Sequence, residues 1–112
     1  MVKKIKLMAE YNYSPLWDIE EVDNIELDQL PLSVETVERL LHWAKAYDQI
    51  MNWDDPASSG FASEQEREAF EREGIALWRQ LQQELAPEYQ VFYFSEKRRK
   101  LLKNADELAS VP

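Results

Sequence analysis

The 112-residue chain has no cysteine, only two glycines and a single histidine. Without cysteine it can form neither disulfides nor thiolate metal sites, and it has no cysteine nucleophile. The two glycines, Gly60 and Gly74, stand alone, so the chain contains no glycine-rich phosphate loop and no dinucleotide-binding fingerprint. GxSxG and HExxH motifs are also missing, which excludes the hydrolase and metalloprotease classes that carry them.

Long hydrophobic runs are missing as well. The start, MVKKIKLMAEYNY, is basic, but Glu10 interrupts it too early for the core of a signal peptide. No later stretch approaches the ~20 apolar residues of a membrane-spanning helix. We therefore expect one soluble cytoplasmic domain that makes no contact with a membrane, and the lack of cysteine agrees with a reducing compartment.

Charge is abundant, and its distribution is uneven. The net charge is −9, but residues 7–96 contain 20 of the 22 acids and only five bases, which gives that segment −15. Both ends are basic. A body this acidic would repel a phosphate backbone and attract a basic protein, so we expect a basic protein partner and no nucleic acid. The alternative is that the acids only keep the protein soluble.

Hydrophobic periodicity predicts two strands that flank two helices. Residues 3–11 alternate between apolar and polar side chains, which is typical of a half-buried strand. The segment 89–94, YQVFYF, is apolar on both faces, which predicts an interior strand. The long stretch 12–32 is irregular, and in it we expect a helical turn at 27–30 and a short extended piece around Ile25.

Capping signals set the predicted helix boundaries. Ser33 is a good N-cap for a first helix that ends near Asn52, and Ser63 to Glu66 form a capping box at the start of a second helix, which Pro87 ends. Gly74 lies inside the second helix, where it costs about 1 kcal/mol relative to alanine. We expect it to allow close approach of the first helix or a neighbouring strand.

These elements predict an α+β fold of two layers. The order is strand, long loop, helix, helix, strand, with the helical hairpin packed on a small β-sheet. Two strands make a poor sheet, so a third must come from the long loop, from the C-terminal tail or from a second copy in a homodimer that pairs strands. We expect residues 1–96 to form a single domain, and residues 97–112 to be a basic and then polar tail.

The remaining polar motifs do not predict catalysis. His42 falls on the wet face of the first helix near Glu38, as expected of a surface pair. Asp54 and Asp55 in the loop NWDDPASSGF fit a turn-rich connector better than an acid–base pair. The acids from Asp18 to Asp28 lack the central glycine and the alternation of a calcium loop. We assign no catalytic residue, metal or cofactor.

Aromatic residues interspersed with acids are the most distinctive feature. Some follow the first strand and others bracket the loop between the helices. If the two loops meet at one end of the domain, they form an aromatic surface rimmed with carboxylates, suited to a partner's Arg or Lys. The alternative is that the aromatics close the core under the long loop. The predicted binding residues are Tyr11, Tyr13, Trp17, Asp18, Trp53, Asp54, Asp55 and Phe61.

Several short segments resemble a family of small acidic bacterial proteins of uncharacterised function. These segments are LMAEY at 7–11, PLW at 15–17, LPLS at 30–33, WAKAYD at 43–48 and SGF at 59–61, and the resemblance spans about residues 5–94. This resemblance transfers no activity and no catalytic residue. In size and charge the chain is similar, more loosely, to immunity proteins of bacterial toxin systems, which cap a basic toxin.

The sequence therefore predicts a non-enzymatic, acidic protein-binding domain of immunity or regulatory type that holds a basic partner. The alternative is a small-ligand-binding protein or an enzyme that uses the same acidic and aromatic loops, which requires a cavity there.

Overall fold

A computed structural model describes residues 2–50 and 60–103. Its five strands form one mixed sheet in the order β3-β2-β1-β4-β5. Strands β1 and β4 are parallel, and the other neighbouring pairs are antiparallel. The strand bounds are β1 Lys3–Leu7, β2 Leu16–Asp18, β3 Asn24–Ile25, β4 Tyr89–Ser95 and β5 Lys100–Leu102.

Two helices connect β3 to β4, and both begin at the predicted serine caps. Helix α1 spans Val34–Asp48, and the Ser33 side chain accepts a hydrogen bond from the Thr36 backbone N–H. Helix α2 spans Glu64–Leu85, and the Ser63 side chain accepts one from the Glu66 N–H. Each contact satisfies a donor that the first turn of a helix leaves unpaired.

Both helices pack on the same face of the sheet. The parallel register places Ile5 beside Val91 and Leu7 beside Tyr93, and these four side chains are at most 1% exposed. They join helix residues such as Leu40 in one core cluster. Because side chains alternate along a strand, Lys6 and its neighbours Trp17 and Phe92 point to the opposite face of the sheet.

The predicted fold class is confirmed: a helical hairpin packs on a small sheet in the predicted order. The long loop contains the 3₁₀ turn Leu27–Gln29 and β3, at the expected positions, and it also supplies β2, which was not predicted. Strand β5 lies in the segment 97–112, so the loop and that segment supply the additional strands. Helix α1 ends at Asp48, four residues before the expected end.

Gly74 allows the close approach that was predicted for it. A Cβ atom at this position would lie 2.9 Å from Cζ of Tyr93, which would force a shift, and 3.0 Å from the ring of Trp43, which is an unusually tight contact. A strand residue and an α1 residue therefore both press against α2 here. The close packing compensates for the helix propensity that glycine lacks.

Polar contacts fasten the start of α1 to the end of α2. Glu84 accepts hydrogen bonds from the Ser33 N–H at 2.7 Å, from the Ser33 and Thr36 hydroxyls and from the Gln80 amide at 2.8 Å. One carboxylate thus holds four donors from two helices, and it fixes how the helices meet at this end.

Candidate functional site

Aromatic rings connect the two loops that the sequence analysis singled out. Tyr11, after β1, stacks on Tyr47 of α1 with ring centroids 4.6 Å apart. Tyr47 lies 5.8 Å from Phe70 of α2, and Phe70 lies 5.2 Å from Phe61, just before that helix. The structure therefore brings Tyr11 and Phe61 to the same end of the domain, linked through two helix residues that were not predicted as site residues.

Carboxylates surround the Tyr11–Tyr47 stack. Burial raises the pKa of the Tyr47 hydroxyl, and the nearby negative charges of Glu96 and Glu10 raise it further. Asp48 accepts a hydrogen bond from the Asn12 N–H at 2.9 Å, which ties the loop after β1 to the end of α1. The half-buried Tyr11 ring, with negative charge beside it, suits contact with a cation.

Tyr13 and Trp17 form a separate pair. Their ring centroids are 5.4 Å apart, and the Trp17 indole N–H donates to the Met8 carbonyl at 3.0 Å. Trp17 alternates with the buried Leu16 and Asp18, so it lies on the sheet face that the helices leave open. The predicted aromatic residues thus divide between two surfaces.

Asp18 lies near the start of β1, away from Tyr11 and Tyr13, which follow the end of that strand. It pairs with Ile5 in the sheet, is 5% exposed, and accepts hydrogen bonds from the N–H groups of Glu20 and Glu21 at 2.9 and 3.0 Å. These bonds, with Lys3 at 3.6 Å, hold the pKa of Asp18 below its ordinary range although burial opposes the shift. Asp18 organises the turn after β2 and presents little carboxylate to solvent.

Trp53, Asp54 and Asp55 lie outside the described residues. The positions on either side of that segment are described: the Gly60 N–H donates to the Ile50 carbonyl at 3.0 Å. The binding role of Trp53, Asp54 and Asp55 therefore stays a prediction.

A groove of about 850 Å³ opens between α1 and α2 at this end of the domain. Arg39 is among its lining residues, and its guanidinium makes two hydrogen bonds of 3.1 Å to Glu73 across the helices. The groove depends on how two helices pack, so the sequence pattern does not reveal it. Its lining residues are Arg39, His42, Trp43, Ala46, Gln49, Ile50, Gly60, Phe61, Ala62, Glu66, Ala69, Phe70 and Glu73.

A buried polar cluster lies next to this end of the domain, centred on Glu71 of α2. Glu71 accepts hydrogen bonds from the Tyr93 hydroxyl at 2.7 Å and the Ser95 hydroxyl at 2.5 Å, and it pairs with Arg98. Burial, followed by the charge of Glu71, raises the pKa of the Tyr93 hydroxyl. Since its donors come from β4 and the turn before β5, this cluster fixes the sheet to α2.

Across residues 2–50 and 60–103, no group of three or more His, Asp or Glu side chains is arranged to hold a metal ion. In that same part of the chain, no helix is long and apolar enough to cross a membrane.

Fold and site together define a small two-layer α+β domain with a groove between its helices and an aromatic, acidic surface beside it. A family model described as Serratia CdiI immunity protein-like matches residues 3–96. The match covers most of the chain, and the chain belongs to this family. It confirms the likeness to toxin-immunity proteins that the sequence indicated. A search of curated proteins found no match.

Proposed function

We propose that this chain is a non-enzymatic immunity protein that binds a basic toxin through its acidic surface. The observation that carries the proposal is membership of a family described as immunity protein-like over residues 3–96. The acidic body supports the basic character of the partner, because opposite charge steers association and favours the correct partner.

The proposed binding surface is the end of the domain where the loop after β1 meets the start of α2. Tyr11 and Phe61 supply aromatic area. Trp53, Asp54 and Asp55 lie outside the described residues and stay in the proposal as predicted binding residues. Tyr13 and Trp17 form a second, separate aromatic patch, with Trp17 on the open face of the sheet. Asp18 was also predicted, but it lies towards the opposite end of β1, where it holds the turn that carries the exposed Glu20 and Glu21.

The experiment is capture of partners from lysate of the native host on the tagged protein, at low and at moderate salt. We expect one stoichiometric basic protein that is lost at the higher salt, because exposed charge pairs are screened. Once identified, the partner should be toxic when its gene is expressed alone and harmless when it is expressed together with this chain. Capture of no protein at either salt would contradict the proposal.

A second candidate is a small-ligand-binding protein or an enzyme that uses the same end of the domain. The groove favours it, because about 850 Å³ is within the range of small-molecule sites. Native mass spectrometry separates the candidates: a bound small molecule, with no protein captured, would favour the second. A third candidate is a homodimer that joins sheet edges, and a monomer by light scattering at micromolar concentration would argue against it.

A further inference from the structure

The groove between α1 and α2 has one alanine from each helix in its lining, Ala46 and Ala69. Both alanines are exposed, and their short side chains fill less of the groove than a longer side chain would. Phe61 and Phe70, 5.2 Å apart, provide an apolar floor. Such a groove accommodates a long aliphatic chain that enters from another surface.

The charge within the groove is incompletely balanced. Glu73 is paired with Arg39. Glu66 accepts a hydrogen bond from the Ala62 N–H at 3.1 Å, but no side chain in the described part of the protein forms an ion pair with it. The groove thus offers one carboxylate that is available to a cation.

We propose that this groove receives an arginine side chain of the toxin; the inference rests on the proposed function and identifies the contact that it uses. The methylene groups would lie along Ala46 and Ala69, the guanidinium would stack on Phe61, and its N–H groups would donate to Glu66. Arginine fits better than lysine, because a planar guanidinium both stacks on a ring and binds a carboxylate through two donors.

The test uses a small probe, so that it does not depend on the toxin. The ¹⁵N-labelled full chain is titrated with N-acetyl-arginine amide and, separately, with N-acetyl-citrulline amide at constant ionic strength. The two probes have nearly the same shape and differ in charge. We expect saturable shifts at the amides of Ala46, Gly60 and Ala69, with the arginine probe bound about two- to fivefold more tightly.

Three variants assign the effect. Glu66→Gln should remove the preference for arginine over citrulline. Ala69→Leu should block both probes by filling the groove. Ala76→Leu is the matched control, because Ala76 is also an exposed alanine of α2 but lies beyond the Arg39–Glu73 pair, outside the groove. This variant should bind both probes as the unmodified chain does.

Equal binding of the two probes, or shifts confined to other surfaces, would overturn the inference. So would a dimer that Ala69→Leu converts to a monomer, because a second copy would then occupy the groove. The proposed function fails differently, when no toxin is captured whatever the probes do. If a toxin is captured and Ala69→Leu binds it as tightly as Ala76→Leu does, only the groove assignment is lost.

Discussion

The two ends of the helical pair are built differently. At one end, Ser33, Thr36 and Gln80 converge on the Glu84 carboxylate, and the start of α1 is fastened to the end of α2. At the other end, Ala46 and Ala69 leave a groove of about 850 Å³. The first arrangement satisfies polar groups within the chain, whereas the second leaves an apolar surface and a carboxylate available to a partner.

One end of the helical pair therefore contributes mainly to stability, and the other end is available for recognition. Polar groups that are satisfied internally stabilise the fold but offer little to another molecule. Small side chains and an unpaired carboxylate contribute less to stability and keep space and charge for binding. Substitutions at the fastened end should therefore change stability, and substitutions in the groove should change binding.

The largest loss of stability is expected at Gly74, which lies in α2 between the fastened end and the far limit of the helical pair. Gly74→Ala should lower the free energy of unfolding by about 1–3 kcal/mol, although alanine favours a helix, because the new Cβ would press on Tyr93 and Trp43. Urea unfolding measures the change.

The double variant Gly74→Ala/Tyr93→Phe supplies the control. It removes the hydroxyl that lies nearest the new Cβ. The loss should be smaller than the sum of the two single losses, since the sites are in contact. Strict additivity would show that the close approach does not limit this position.

The next largest loss of stability is expected at the fastened end, where Glu84 binds Ser33, Thr36 and Gln80. Glu84→Ala removes the acceptor for four donors and should lower the free energy of unfolding by about 1–2 kcal/mol. Gln83→Ala, at the exposed neighbouring position of the same helix, should change it little. Chemical denaturation measures the free energy of unfolding of both variants. Equal losses would contradict the claim that the Glu84 contacts stabilise this end of the helical pair.

The fastened end should also depend on pH. Burial raises the pKa of Glu84, but hydrogen bonds from Thr36, Ser33 and Gln80 outweigh burial and lower it overall. A lowered folded-state pKa means that this stabilisation is present above the unfolded pKa, near 4.3, and is lost as pH falls through the folded value. Urea midpoints from pH 7 to 3 should fall less for Glu84→Gln than for the unmodified chain; parallel curves would contradict this.

The smallest loss of stability is expected at Arg39, which lines the groove. Arg39→Gln breaks a half-exposed ion pair with Glu73 and should cost about 0.5 kcal/mol or less. It also shortens a side chain that lines the groove, so the amide of the neighbouring lining residue His42 should shift in NMR spectra. A loss as large as that of Glu84→Ala would show that the fastening extends along the whole pair.

Local signals explain the parts of the fold that the sequence predicted. Ser33 and Ser63 were identified because a cap acts within one turn, and Gly74 because a glycine inside a helix is costly unless packing requires it. Strand β2 was not predicted, because three residues after Pro15 carry too little periodicity, and pairing with β1 stabilises them.

The site was harder to predict, because it depends on contacts between distant segments. Tyr11 and Phe61 were expected at one end, and they are linked there through Tyr47 and Phe70. Asp18 was predicted as part of the rim; the register of β2 pairs it with Ile5, and its role in binding stays a prediction. The groove depends on helix packing, and the pattern of the sequence does not report the distance between two helices.

The most direct test of the account compares capture by three forms of the chain: unmodified, Ala69→Leu and Ala76→Leu. We predict that one basic protein, harmful alone and neutralised by this chain, is retained by the unmodified form and by Ala76→Leu, and is lost with Ala69→Leu. Equal retention by all three would contradict recognition in the groove, and retention of no basic protein would contradict the immunity function.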